Sequence, residues 1–152
     1  MLLPSPLVLT LALILALPAQ ASIAPFWDDL RTDQVGTGCT SFTSGCGIFT
    51  STSGGAPNRI FNIEWRAVYF AASGTTANFE VRLHETSNAI DLVYGSLNGT
   101  GDSATIGLQK DIGSQFNEFE CNTGGLTGGI GIVYAPMTCG TPSATPTSCA
   151  PT

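Results

Sequence analysis

Two segments with alternating side chains, joined by a short polar turn, constrain this chain more than any other feature. Residues 58–70 and 77–86 both alternate apolar and polar positions, and Gly74 lies in the turn between them. A period of two is typical of β-strands with one buried face and one solvated face. The segments therefore predict a long β-hairpin, with Trp65 and Phe79 as core residues.

The charged residues of this hairpin suggest a register for the strand pairing. Because both apolar rows must point inward, the numbers of opposed residues must sum to an even value. One such register places Glu64 opposite Arg82 and Arg66 opposite Glu80. The next even register would place Arg66 opposite Arg82, and facing like charges are unfavourable. We therefore predict the register that pairs opposite charges.

The rest of the chain repeats the pattern in shorter pieces, and nothing in it has helical periodicity. Residues 23–30 are expected to form a first strand or a docked segment, with Phe26 or Trp27 in the core. Further strand-like segments lie at 48–53, 89–96, 104–108, 118–122 and 130–134. Short strands with regular turn signals predict an all-β fold, a single antiparallel β-sandwich of seven to eight short strands after a signal peptide.

Both ends of the chain differ in composition from the segment between them. An apolar run is followed by Ala19-Gln20-Ala21, the small–x–small pattern that precedes signal-peptidase cleavage. An uncleaved membrane anchor is the alternative. The last residues are mostly Thr, Pro, Ser and Ala, which predicts a disordered tail that acts as a spacer or is a frayed end. The predicted organisation is a signal peptide at 1–21, a β-sandwich domain at 22–139 and a Thr/Pro/Ser-rich tail at 140–152.

The chain has five cysteines, which suggests disulfides in an exported protein. Cys39 and Cys46 are spaced to close a short loop. Cys121 and Cys139 bracket the last predicted strand and are predicted to bond, with Cys149 as the alternative partner of Cys121. Cys149 is otherwise free or intermolecular. The cysteines lack the close pairing typical of zinc sites, so no metal is predicted at them.

The net charge of −6 disfavours two classes of partner. Nucleic acid is bound by basic surfaces, and an anionic membrane also attracts basic segments. No second long apolar run follows residue 21, so the mature chain is predicted to have no membrane span.

The chain has few sets of residues that could act together in catalysis. The chain has one histidine, His84, which the alternation places on the solvated face. Glu64 and Glu80 could form a glycosidase pair, but an arginine partner would hold each ionised, whereas the acid of such a pair needs a raised pKa. We therefore predict no catalytic residue and no cofactor. Asp28, Asp29 and Asp33 are candidate calcium ligands, with a solvated loop as the alternative.

The segment Ile23-Ala-Pro-Phe-Trp-Asp-Asp-Leu30 resembles the opening of nidogen-like domains and of related bacterial secreted domains. The resemblance continues through Ala56–Arg59, Phe61–Trp65, Asn78–Leu83, Ile90–Gly95 and Ser103–Gln109. The chain is also similar to exported bacterial proteins in which such a domain is followed by a Thr/Pro-rich tail. The resemblance implies a non-catalytic, β-rich module of surface or matrix proteins, and it transfers no catalytic residue.

These observations predict a secreted or surface-displayed, non-catalytic binding or structural module, with adhesion as one form of binding. The expected partner is an extracellular ligand, either protein or glycan, or a second copy of the chain. One alternative is a subunit of an extracellular filament or coat assembled through sheet edges. Another is a small carbohydrate-active enzyme.

Overall fold

A computed structural model describes residues 21–110 and 115–136. In these ranges the chain is all-β, with two antiparallel sheets. The predicted fold class is therefore confirmed. The predicted signal peptide, apart from Ala21, and the predicted tail lie outside the described residues, and the domain limits stay predictions.

The described residues form nine strands and one short 3-10 turn at Thr37–Ser41. The strands are β1 (Ser22–Trp27), β2 (Leu30–Arg31), β3 (Gly47–Ser53), β4 (Ile60–Tyr69), β5 (Thr76–His84), β6 (Ile90–Leu97), β7 (Thr105–Gln109), β8 (Phe116–Cys121) and β9 (Gly131–Tyr134). The strand beyond the predicted number is β2, which pairs with the end of β4.

The small sheet has the order β1-β7-β8, and the large sheet has the order β2-β4-β5-β6-β9, with β3 also paired to β4. The core lies between the two sheets. Phe26 of β1 is 5% exposed and stacks on Phe79 of β5, with their ring centroids 5.5 Å apart. Trp27 is 68% exposed, so Phe26 is the core residue of the two that the sequence offered.

The two aromatic residues predicted for the hairpin core differ in burial. Phe79 is 3% exposed and is part of the core, as predicted. Trp65 is only half-buried, although its ring stacks on that of Phe79 at 5.3 Å. Its neighbour on β3, Ile48, faces the same side of the sheet and is 57% exposed. The core therefore thins out towards β3.

The predicted hairpin register is wrong by two residues. Glu64 lies opposite Glu80, and Trp65 lies opposite Phe79. The predicted faces are correct, because a shift of two residues preserves them. The stacked aromatic pair is a strong cross-strand contact, and it forms only in the observed register.

The opposite charges form ion pairs without the predicted register, because each arginine pairs with a glutamate on its own strand. Arg66 pairs with Glu64 at 2.7 Å, and Arg82 pairs with Glu80 at 2.5 Å. Asn78, which lies opposite Arg66, also donates a hydrogen bond to Glu64 at 2.8 Å. These contacts offset the repulsion between the facing carboxylates.

The predicted Cys39–Cys46 disulfide is confirmed. Both cysteines are buried, and they pack with Val68 beneath the loop that precedes β3. Cys121 is also disulfide-bonded. Its predicted partner Cys139 and the alternative Cys149 lie outside the described residues, so that pairing stays a prediction.

Candidate binding surfaces

The outer face of the β4–β5 hairpin carries carboxylates that already have partners. The pKa of Glu64 lies below its usual range because Arg66 donates hydrogen bonds to it, with a smaller contribution from Asn78. The Arg66 guanidinium also lies over the ring of Phe49, 4.3 Å from its centroid. A carboxylate held ionised in this way is poorly suited to donate a proton in glycoside cleavage. The register does, however, place Glu64 directly opposite Glu80, which the sequence did not predict.

His84 is half-buried on the same face and pairs with an acidic residue of the next strand. Its Nε2 atom lies 2.7 Å from Oδ2 of Asp91 on β6. Alternation alone does not predict Asp91 as its partner, because this contact depends on the register of β5 with β6. In the described ranges, no serine, threonine or cysteine side chain is hydrogen-bonded to His84, so a nucleophile–base arrangement is missing there.

The three candidate calcium ligands do not converge. Asp28 accepts hydrogen bonds from the Asp29 backbone N–H and from the Ser103 hydroxyl, both at 2.7 Å. Asp33 forms an ion pair with Arg31 at 2.7 Å, which lowers the pKa of Asp33. Across residues 21–110 and 115–136, no three His, Cys, Asp or Glu residues cluster as metal ligands. Calcium binding stays an untested hypothesis.

A groove of about 300 Å³ runs across the outer face of the small sheet. Its floor is low where Ala24 of β1 lies opposite Gly107 of β7, because neither residue has a large side chain. Trp27 stands at one end, opposite Thr105. Phe116 of β8 stands at the other end. Polar residues line the space between these aromatic walls: Ser22, Thr105, Gln109, Asn117 and Glu118.

Two irregularities in the small sheet shape this groove. The register of β1 against β7 shifts between Ala24 and Trp27, which directs Phe26 into the core and Trp27 outward. A second shift occurs at Gly107, where a Cβ atom would lie only 2.5 Å from the backbone oxygen of Asn117. Glycine is therefore required at the floor.

The comparisons with known proteins identify a family. A family model described as NIDO related matches residues 12–128, more than half of the chain. The chain belongs to the NIDO-related family. The resemblance to nidogen-like domains is thereby confirmed, while bacterial origin stays a prediction. No curated protein and no solved structure matches the chain.

Membership in the NIDO-related family favours an extracellular type of binding or structural module. The Cys39–Cys46 disulfide fits the same setting, because disulfides persist in oxidising compartments. Among the described residues of this NIDO-related chain, no helix is long and apolar enough to cross a membrane.

Proposed function

We propose that this NIDO-related chain is a secreted or surface-displayed module that binds its partner without changing it chemically, and that adhesion is one outcome of such binding. The groove on the small sheet is the observation on which the proposal rests. Trp27, at one end of the groove, is 68% exposed. Exposed aromatic residues beside a concave, partly polar surface are typical of binding sites.

The groove's chemistry suits a ligand with both flat apolar and hydrogen-bonding parts. The indole of Trp27 offers a stacking surface, and Thr105 lies beside it across the strand pair. A sugar ring or an extended peptide presents both kinds of group. Binding of this kind requires no activated nucleophile and no acid–base pair with separated pKa values.

An adhesion assay with a matched control tests the binding role. Beads coated with the exported protein are incubated with cells and with immobilised matrix glycans and proteins. Trp27→Ala should weaken retention roughly tenfold or more if the indole is a principal contact. Phe70→Ala, which removes an aromatic residue that is 65% exposed in the turn after β4 and does not line the groove, should leave retention unchanged. Equal retention by both variants would contradict the groove's role.

A turnover panel tests the non-catalytic part of the proposal. Glycan, ester and peptide substrates should remain intact, and His84→Ala should leave any background rate unchanged. Turnover that disappears when Glu64, Glu80 or His84 is replaced would refute this part.

A second candidate function is a subunit of an extracellular filament or coat. The observation that favours it is β3, which pairs only with β4 among the described strands and leaves its other edge open. Open edges accept additional strands. Size-exclusion chromatography and electron microscopy of the exported protein would show filaments, and a small species of fixed size would contradict this function.

A further inference from the structure

The outer strands of the two sheets differ in how well their edges are protected. In the small sheet, β1 contains Pro25 and a register shift, and β8 contains two glutamates and lies against another shift. In the large sheet, β9 has four residues. Proline, irregular register, charge and short length are features that prevent unwanted strand pairing. Each of these strands has at least one of them.

The β3 strand has none of these features. It has seven residues, Gly47–Ser53, and pairs with β4 in an unbroken register. It contains no proline and no charged residue, and Ile48, Phe49, Thr50 and Thr52 all favour strands. Among the described strands, β3 is thus the long, flat edge that is open to pairing.

The inner side of the β3 edge exposes apolar surface at both of its ends. At one end, Ile48 lies opposite Trp65 and is 57% exposed. At the other end, Thr52 lies opposite Phe61, which is 42% exposed. All four residues face the same side of the sheet. The midpoint between the two ends is Thr50, which is itself exposed.

We propose that β3 pairs with β3 of a second copy of this chain, antiparallel, with Thr50 on the two-fold axis. Such pairing places Ile48 opposite Thr52 of the partner subunit. Phe61 of the partner subunit lies beyond that threonine, on the neighbouring strand β4. By symmetry the same contact forms at the other end. Ile48 of each subunit thereby gains cover in one isologous interface.

Charge does not prevent a second copy from pairing at this edge. The whole chain carries a net charge of −6, which opposes self-association in general. No charged side chain lies in β3, however, so the axis brings no like charges face to face. The nearest charges on the outer side are Glu64 and Arg66, which neutralise each other at 2.7 Å.

This inference is separate from the filament role, because an isologous pair closes at two copies, and it does not involve the groove. The exported protein is examined by sedimentation velocity over a concentration series. A dimer in reversible equilibrium is expected. Thr50→Lys should weaken dimerisation about tenfold or more, because the two new charges face each other at the axis. Thr127→Lys makes the same charge change in an exposed turn and should have no effect.

A charge-swap mixture tests the axis itself. The Thr50→Glu variant alone should also be mostly monomeric. An equimolar mixture of the Thr50→Lys and Thr50→Glu variants should form dimers again. Circular dichroism of each variant checks that it is folded. A wild-type protein that stays monomeric at every concentration would overturn the inference, and so would a dimer that Thr50→Lys leaves intact or a mixture that fails to associate.

Hydrogen exchange at residues 47–53 identifies any other occupant. Protection that rises with protein concentration is expected for pairing with a second copy. Protection that is constant at all concentrations would mean that a segment of the same chain covers β3, and this would overturn the inference. None of these results affects groove binding, which Trp27→Ala tests separately.

Discussion

Replacing Tyr94 with phenylalanine removes a hydrogen bond that joins the two sheets. Tyr94 lies on β6 of the large sheet and is 1% exposed. Its hydroxyl donates to the backbone oxygen of Pro25 on β1 of the small sheet, at 2.5 Å. The substitution keeps the ring and its packing, and it leaves a carbonyl oxygen in the core without this donor.

The expected cost follows from this contact. A buried acceptor that loses its partner costs roughly 1–3 kcal/mol, and Pro25 is only half-buried, so we expect about 1–2 kcal/mol. For a domain of this size, 1 kcal/mol shifts Tm by about 4 °C, so Tm should fall by about 4–8 °C.

A matched control is available in Tyr134, a half-buried tyrosine that packs against the core and whose hydroxyl is buried. Its hydroxyl has no hydrogen-bond partner within the described part of the chain. Tyr134→Phe should therefore be neutral or slightly stabilising, because it removes an unpaired polar group. Thermal and denaturant unfolding of both variants measure the difference. Equal losses of stability in the two variants, or none in Tyr94→Phe, would refute this reasoning.

Three further predictions concern stability. Arg66→Ala should cost about 0.5–1 kcal/mol in urea unfolding, because it removes the arginine that neutralises Glu64, which faces Glu80, and adding Glu80→Gln should recover part of the loss. No recovery would contradict the observed register. Replacing both Cys39 and Cys46 with serine should cost about 2–3 kcal/mol, and an unchanged denaturation midpoint would contradict this. Burial raises the pKa of all three tyrosines. The contribution of the neutral tyrosines to the free energy of unfolding is thus complete below about pH 10, and it is lost as pH rises through the pKa values of the folded state. Tyrosinate absorbance that appears before unfolding would contradict this.

The hairpin shows what the sequence could and could not predict. Alternation is local, so the fold class and the inward faces of the two strands could be predicted from residues 58–86 alone. The register could not, because each arginine has a glutamate two positions before it on its own strand. Charge therefore did not select the register, and the stacking of Trp65 on Phe79 was left out of the prediction.

The groove and the open edge depend on pairings between distant parts of the chain. Ser22 and Phe116 both pair with Gln109, and the pairing of β1 and β8 with β7 brings Trp27 and Phe116 to one face. Short strands and small residues provide little sequence pattern from which such long-range strand pairings could be predicted. The His84–Asp91 pair was missed for a related reason, since it depends on the register of β5 with β6.

The proposed role of the groove is decided by binding measurements on an array of extracellular glycans and matrix proteins, with the exported protein and its Trp27→Ala and Phe70→Ala variants. If the groove has this role, we expect saturable binding by the wild type and by Phe70→Ala, loss of binding by Trp27→Ala, and recovery of the bound ligand chemically unchanged. Binding that survives Trp27→Ala at full strength, or a ligand recovered as cleaved product, would contradict it.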